Sequence, residues 1–114
     1  MKLSILITLL NEELVLAQTH AAISAQLEDM LGKDLSDYEI LYIDDGSNDR
    51  TFELIEGIAR DNNRVKYMRF SRNFGRESGI LAGFKYATGD AVMVMDGDLQ
   101  HPPYLIPLFL EAYK

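Results

Sequence analysis

Ala91-Val92-Met93-Val94-Met95-Asp96-Gly97-Asp98-Leu99-Gln100-His101-Pro102-Pro103 is the stretch on which the reading of this chain turns. Its first five residues are apolar without alternation, the pattern of a strand buried on both faces in a parallel sheet. In an open α/β sheet, ligands bind beyond the carboxyl ends of the strands. Asp96 and Asp98 stand at i and i+2 with Gly97 leaving the backbone free to turn, so both can converge on a hard divalent cation, and Gln100 offers a further oxygen. The stretch therefore predicts a metal and phosphate site at a strand end. For His101 local capping comes first, then phosphate contact, then metal ligation.

Working outward, residues 3–10 are apolar except for Ser4 and Thr8 and read as a central strand. Asn11 offers an N-cap, and Glu12 and Glu13 put negative charge in the first turn of the following helix, where its dipole favours it. Leu16, Ile23, Leu27 and Met30 recur at helical spacing until Gly32 stops the helix. Residues 38–43 form a second strand that runs into Asp44-Asp45-Gly46-Ser47-Asn48-Asp49. Ser47, Asn48 or Asp49 can cap the next helix, which carries Phe52, Leu54, Ile55, Ile58 and Ala59 toward the core. Adjacent carboxylates at a strand end repel each other unless a donor or cation sits between them. Asp44 and Asp45 are therefore candidate acceptors for a nucleobase N–H or a ribose hydroxyl.

A third strand, residues 64–70, alternates imperfectly and belongs nearer the sheet edge. Beyond it, Ser71-Arg72-Asn73-Phe74-Gly75-Arg76-Glu77-Ser78-Gly79 opens a helix that continues through Ile80, Leu81, Phe84 and Ala87. Gly79 and Gly83 share one face and let that helix approach the sheet closely. Arg72 and Arg76 flank its N-terminus, where dipole and free N–H groups already favour anions, so they point to an anionic ligand or an acidic neighbour. Pro102 and Pro103 suit the first turn of a last helix, which reaches Lys114 without a stop signal. The chain is expected to end in mid-architecture, leaving an edge or apolar face that favours self-association.

With 114 residues the chain makes one domain, and its 47% apolar and 25% charged content is that of a globular protein. A net charge of -7 argues against nucleic acid as partner and means that a phosphorylated ligand needs a cation beside it. The absence of cysteine excludes a disulfide framework and favours the cytoplasm. Lys2 and the apolar run after it lack the small-residue cleavage pattern of a signal peptide, and no stretch approaches the ~20 apolar residues of a membrane span.

Four strands alternating with helices predict a Rossmann-like three-layer α/β/α fold, with a parallel sheet in the order 3-2-1-4. That order sets Asn11-Glu12-Glu13 beside Asp96-Gly97-Asp98 at the switch point. No Gly-x-Gly-x-x-Gly follows the first strand and no Gly-x-x-x-x-Gly-Lys-Ser/Thr occurs, which disfavours dinucleotide and P-loop enzymes. Haloacid-dehalogenase-type phosphatases and receiver domains carry their acidic pair after the first strand, and the position here disagrees with both.

The residues 4–13, the strand ending in Asp44-Asp45-Gly46-Ser47, Ser71-Arg72-Asn73-Phe74-Gly75, and Asp96-Gly97-Asp98-Leu99-Gln100-His101-Pro102-Pro103 together resemble the inverting family-2 glycosyltransferases of GT-A fold. The branch most similar contains dolichyl-phosphate mannose synthase and the bacterial undecaprenyl-phosphate glycosyltransferases. The resemblance implies a metal-dependent enzyme that uses Mg2+ or Mn2+ and a nucleotide-diphosphate sugar, with residues 1–114 as the N-terminal, donor-binding part. It implies nucleotide-sugar contacts from Asn11, Glu13, Asp44, Asp45, Arg72, Arg76 and Asp96, and metal ligation by Asp96, Asp98 and Gln100. It further implies a lipid-phosphate acceptor, a parent protein at the cytoplasmic face of the membrane acting in the cell envelope, and catalytic and acceptor residues beyond Lys114. Thr8 and Leu10 depart from the proline and aromatic common in that family. A non-catalytic nucleotide-binding or interaction fragment is the alternative.

Overall fold

The computed structural model describes residues 1–97 and 103–113. The elements are β1 (Lys2–Leu9), α1 (Leu16–Met30), β2 (Asp37–Asp44), α2 (Thr51–Asp61), β3 (Val65–Arg69), α3 (Arg76–Tyr86), β4 (Ala91–Asp96) and α4 (Leu105–Tyr113). The strands pair in parallel in the order β3-β2-β1-β4, as the sequence predicts.

Alternation along the two central strands divides the core. Leu3, Ile5, Ile7 and Leu9 of β1 and Tyr38, Ile40 and Tyr42 of β2 join Leu16, Ile23 and Leu27 of α1, Ile55 of α2 and Ile106 of α4 in one large cluster. Each such side chain contributes about 1.5–3 kcal/mol by leaving water, so this face carries most of the stability. Leu6, Leu41 and Ile43 form a smaller cluster on the opposite face. There α3 lies directly on the sheet because its inward residues are glycines: a Cβ on Gly83 would meet Ile43 Cδ1 at 2.7 Å and Leu6 Cδ1 at 3.0 Å. The helix is thereby turned inside out, with glycine inward and Leu81, Phe84 and Tyr86 exposed.

Two expectations are corrected. Asn11 does not cap α1, which begins five residues later with Val15 before it and no acidic residue in its first turn. Residues 11–13 are instead drawn sideways to the loop after β2, and Asn11 takes a left-handed φ of 54° to follow that path. Nor is β4 buried on both faces: only Ala91 and Met95 are buried, because β4 is the outermost strand on its side of the described sheet. At α2 the structure chooses among the three capping candidates. Arg50 precedes the helix without a side-chain cap, and Asp49 Oδ1 accepts the Thr51 N–H at 2.9 Å.

Near the opposite end of the sheet from the acidic loops lies a buried carboxylate that sequence reading passed over. Glu39 accepts hydrogen bonds from Ser4 Oγ at 2.6 Å, the Thr88 N–H at 2.7 Å and Lys66 Nζ at 2.8 Å. Burial opposes its ionisation, but the bonds from Lys66, Ser4 and Thr88 outweigh it and hold the carboxyl at about 2, against an ordinary 4.5. Because the folded value is the lower one, its contribution is present above pH 4.5 and is lost as pH falls toward 2. Glu39→Gln is expected to cost about 1–3 kcal/mol at neutral pH, because the neutral amide has one oxygen for the donors of Ser4, Lys66 and Thr88 and turns its NH2 toward the others. Chemical denaturation at pH 7 and pH 3 checks this, the gap between variant and parent narrowing at the lower pH.

Candidate functional site

Strand register assembles the acidic loops. Leu9 pairs with Asp44 on one side of β1, Thr8 pairs with Asp96 on the other, and Asp44 pairs in turn with Arg69. The loops after β1, β2, β3 and β4 thus share one rim. Between them opens a cleft of about 390 Å³ lined by Thr8, Leu9, Leu10, Glu12, Asp45, Asn73, Gly75, Arg76, Asp96 and Gly97.

The first two loops are stitched together reciprocally. Asn11, Glu12 and Glu13 donate backbone N–H bonds to Ser47 Oγ, Thr51 Oγ1 and Asp49 Oδ2, at 2.9, 2.9 and 3.2 Å. In return, Asn11 Oδ1 accepts the Asn48 N–H at 2.8 Å and Glu13 Oε2 accepts the Arg50 N–H at 3.2 Å. Asn11 and Glu13 therefore hold the cleft's outer wall. Five side chain to backbone bonds also explain why this segment is not helical: its N–H groups are satisfied by another loop.

Asp44 and Asp45 part company. Asp45 lines the cleft, with Oδ1 accepting the Phe74 N–H at 2.8 Å and Oδ2 the Gly75 N–H at 3.1 Å, so it fixes the loop after β3. Asp44 is fully buried beside it, where Oδ1 accepts the Ser47 N–H at 2.9 Å. Its Oδ2 has no hydrogen-bond partner among the described residues and lies 3.7 Å from Arg69 Nε. Gly46, which follows, has a φ of +84°, and a Cβ there would stand 2.4 Å from the Arg72 carbonyl carbon and 2.5 Å from Asn73 N. The loops after β2 and β3 thus meet backbone to backbone, a contact that residue spacing did not reveal.

At the far wall, Arg76 Nε donates to Asp96 Oδ1 at 2.6 Å, the acidic neighbour that one reading of the two arginines anticipated. Arg72 turns over the Phe74 ring, 4.7 Å from its centroid, and lines an adjoining hollow of about 600 Å³ with Ser47 and Asn48. Gly97 is packed against β1: a Cβ would overlap Leu9 Cδ2 at 2.0 Å and approach Thr8 O at 3.1 Å. The chain can therefore leave β4 tightly enough to keep Asp96 in the cleft. Asp98, Gln100 and His101 lie outside the described residues. Among the described residues no group of three acidic, histidine or cysteine side chains is placed to hold a metal. The donor set itself, carboxylate and amide oxygens after a turn with no room for a Cβ, suits a hard cation.

A parallel sheet in the order 3-2-1-4, with carboxylates gathered at its C-terminal rim, makes the chain a doubly wound α/β protein, and its structural neighbours are GT-A glycosyltransferases. The sequence model of glycosyl transferase family 2 matches residues 4–114, and the chain belongs to that family. It is 39% identical over 114 residues to dolichol-phosphate mannosyltransferase of Pyrococcus furiosus, covering 100% of this chain and 30% of that protein. It is 45% identical over 85 residues to the undecaprenyl-phosphate 4-deoxy-4-formamido-L-arabinose transferase of Edwardsiella ictaluri, covering 74% of this chain and 25% of the relative. The chain thus spans between a quarter and a third of the length of these relatives. The same fold occurs in the mannosyltransferase PcManGT of Pyrobaculum calidifontis, solved with GDP-Man and Mn2+. That likeness has a TM-score of 0.73 and 18% identity, over 84% of this chain and 27% of that one.

Proposed function

We propose that this chain forms the donor-binding part of a glycosyltransferase that moves a sugar from a nucleotide diphosphate to a polyprenyl phosphate, with inversion and with Mg2+ or Mn2+. The observation that carries this is the cleft at the ends of β1, β2 and β4, where Asp45 and the Arg76–Asp96 pair line one cavity in a chain of family 2. The names of the two relatives support a lipid-phosphate acceptor, and the structural neighbour's complex with GDP-Man and Mn2+ supports a metal.

In this reading Asp45 accepts a hydrogen bond from the nucleoside through lone pairs not used by Phe74 and Gly75. Asp96, Asp98 and Gln100 would hold the cation, which would supply charge neutralisation on the departing diphosphate. Arg76 orients Asp96 through their hydrogen bond and adds positive charge beside the phosphates. Asn11 and Glu13 act through the loops they brace. Asp44 supports the same wall from behind, and Arg72 serves the rim next to the cleft. A phosphate acceptor is already ionised at neutral pH, so the transfer needs little general-base assistance. The enzyme works at the cytoplasmic face of the membrane, where its lipid acceptor is reached.

Calorimetric titration with GDP and UDP, with and without Mn2+, tests the donor site. Binding that weakens at least tenfold when the metal is chelated is expected. A folded chain that binds neither nucleotide at millimolar concentration overturns the reading.

A further inference from the structure

Besides the donor cleft, a hollow of about 770 Å³ runs between the outer strand β3 and α3. Lys66, Arg69 and Lys85 line it with Met68, Leu81 and Tyr86, and no carboxylate contributes, although the chain as a whole has a net charge of -7. The apolar side chains stand out from the surface: Leu81 is 72% exposed and Tyr86 63%. This follows from the inverted helix, since Gly79 and Gly83 occupy the inward positions that such residues would otherwise fill. The geometry points to this face as a docking surface for an anionic lipid bilayer.

Charge and shape choose that occupant. A second copy meeting the groove symmetrically would set Lys85, whose charge no carboxylate among the described residues offsets, against its own equivalent, so like charges oppose it. A peptide anchors its apolar residues in closed pockets, whereas here the protein's own apolar residues project. Cations interspersed with projecting leucine and tyrosine form the composition of an interfacial surface, with rings and aliphatic tips entering the headgroup region and cations meeting lipid phosphates. No helix among the described residues is long and apolar enough to cross a membrane. Lys66 is already held by Glu39 and Arg69 faces Asp44, which leaves Lys85 as the cation without a carboxylate partner among the described residues.

Co-sedimentation of the chain with phosphatidylcholine vesicles, and with vesicles of phosphatidylcholine and phosphatidylglycerol in equal parts, tests this. Binding is expected to the anionic vesicles, to weaken as salt is raised, and to be at the limit of detection on neutral ones. Lys85→Ala should weaken it roughly fivefold and Lys85→Glu about 25-fold, the worth of one and two charges at such a surface. Leu81→Ser should weaken it roughly tenfold. Both side chains are exposed, so circular dichroism and thermal melts should match the parent. Failure to bind anionic vesicles overturns the proposal, as does binding unchanged in both variants. A dimer that Leu81→Ser dissociates, seen by analytical ultracentrifugation without vesicle binding, overturns it in favour of a second copy. Nucleotide titrations of the same variants should be unchanged, so failure here and failure of the donor-site reading are told apart.

Discussion

Gly46→Ala is expected to destabilise the fold by about 3 kcal/mol and to lower its melting temperature by roughly 12 °C. Two effects add. The φ of +84° disfavours any residue with a Cβ, at about 1–2 kcal/mol. The new methyl would also meet backbone atoms of Arg72 and Asn73, which cannot rotate aside as a side chain can, and moving that loop costs about 1–3 kcal/mol more. Since a domain of this size is stable by about 5–15 kcal/mol, the loss is a large part of the whole. The displaced segment includes Asn73, part of the cleft wall, so nucleotide affinity should fall as well. Gly57→Ala is the control. Gly57 lies inside α2 with open space around its Cβ position, and the change should stabilise by about 0.5–1 kcal/mol. Equal melting temperatures for the two variants would falsify the backbone contact between the loops.

Asp45→Asn should be nearly as damaging, while the same change at Asp44 should not. Both Asp45 oxygens accept backbone N–H bonds, and an amide has only one oxygen to offer. Its NH2 would face the Phe74 or Gly75 N–H inside a site only 4% exposed. The Gly75 N–H keeps a second acceptor in Asn73 Oδ1 at 2.9 Å, so the loss of one charge-assisted bond costs about 1.5–3 kcal/mol. The loop after β3 then loosens, and nucleotide affinity should drop more than tenfold. In Asp44→Asn the oxygen can stay on the Ser47 N–H while the NH2 takes the place of the oxygen that has no hydrogen-bond partner. The loss there is the attraction to a half-exposed Arg69 at 3.7 Å, within about 1 kcal/mol. Urea denaturation and nucleotide titration of the two variants separate the cases. Identical behaviour would mean that the neighbouring carboxylates share one role.

Sequence by itself determined the order of elements, the parallel sheet and the rim on which the acidic loops gather. Those features follow from local rules: apolar runs of strand length, helical spacing of Leu16, Ile23, Leu27 and Met30, and the handedness of crossovers between parallel strands. It also placed Gly79 and Gly83 against the sheet, because their spacing puts them on one helical face.

Tertiary structure decided what the polar residues do. Asn11-Glu12-Glu13 reads as a helix cap, yet Ser47, Asp49 and Thr51 arrive from 36 to 39 residues away and take its N–H groups. Asp44 and Asp45 are adjacent and chemically identical, and only the path of the loop after β3 makes one a brace in the cleft and the other a buried neighbour of Arg69. Arg76 and Arg72 looked alike until Asp96 paired with one of them. A hydrogen-bonding group can be satisfied by any partner the fold brings near it, so its role depends on contacts far apart in sequence. An apolar run has only one favourable destination, which is why the fold was legible from the chain and the division of labour in the cleft was not.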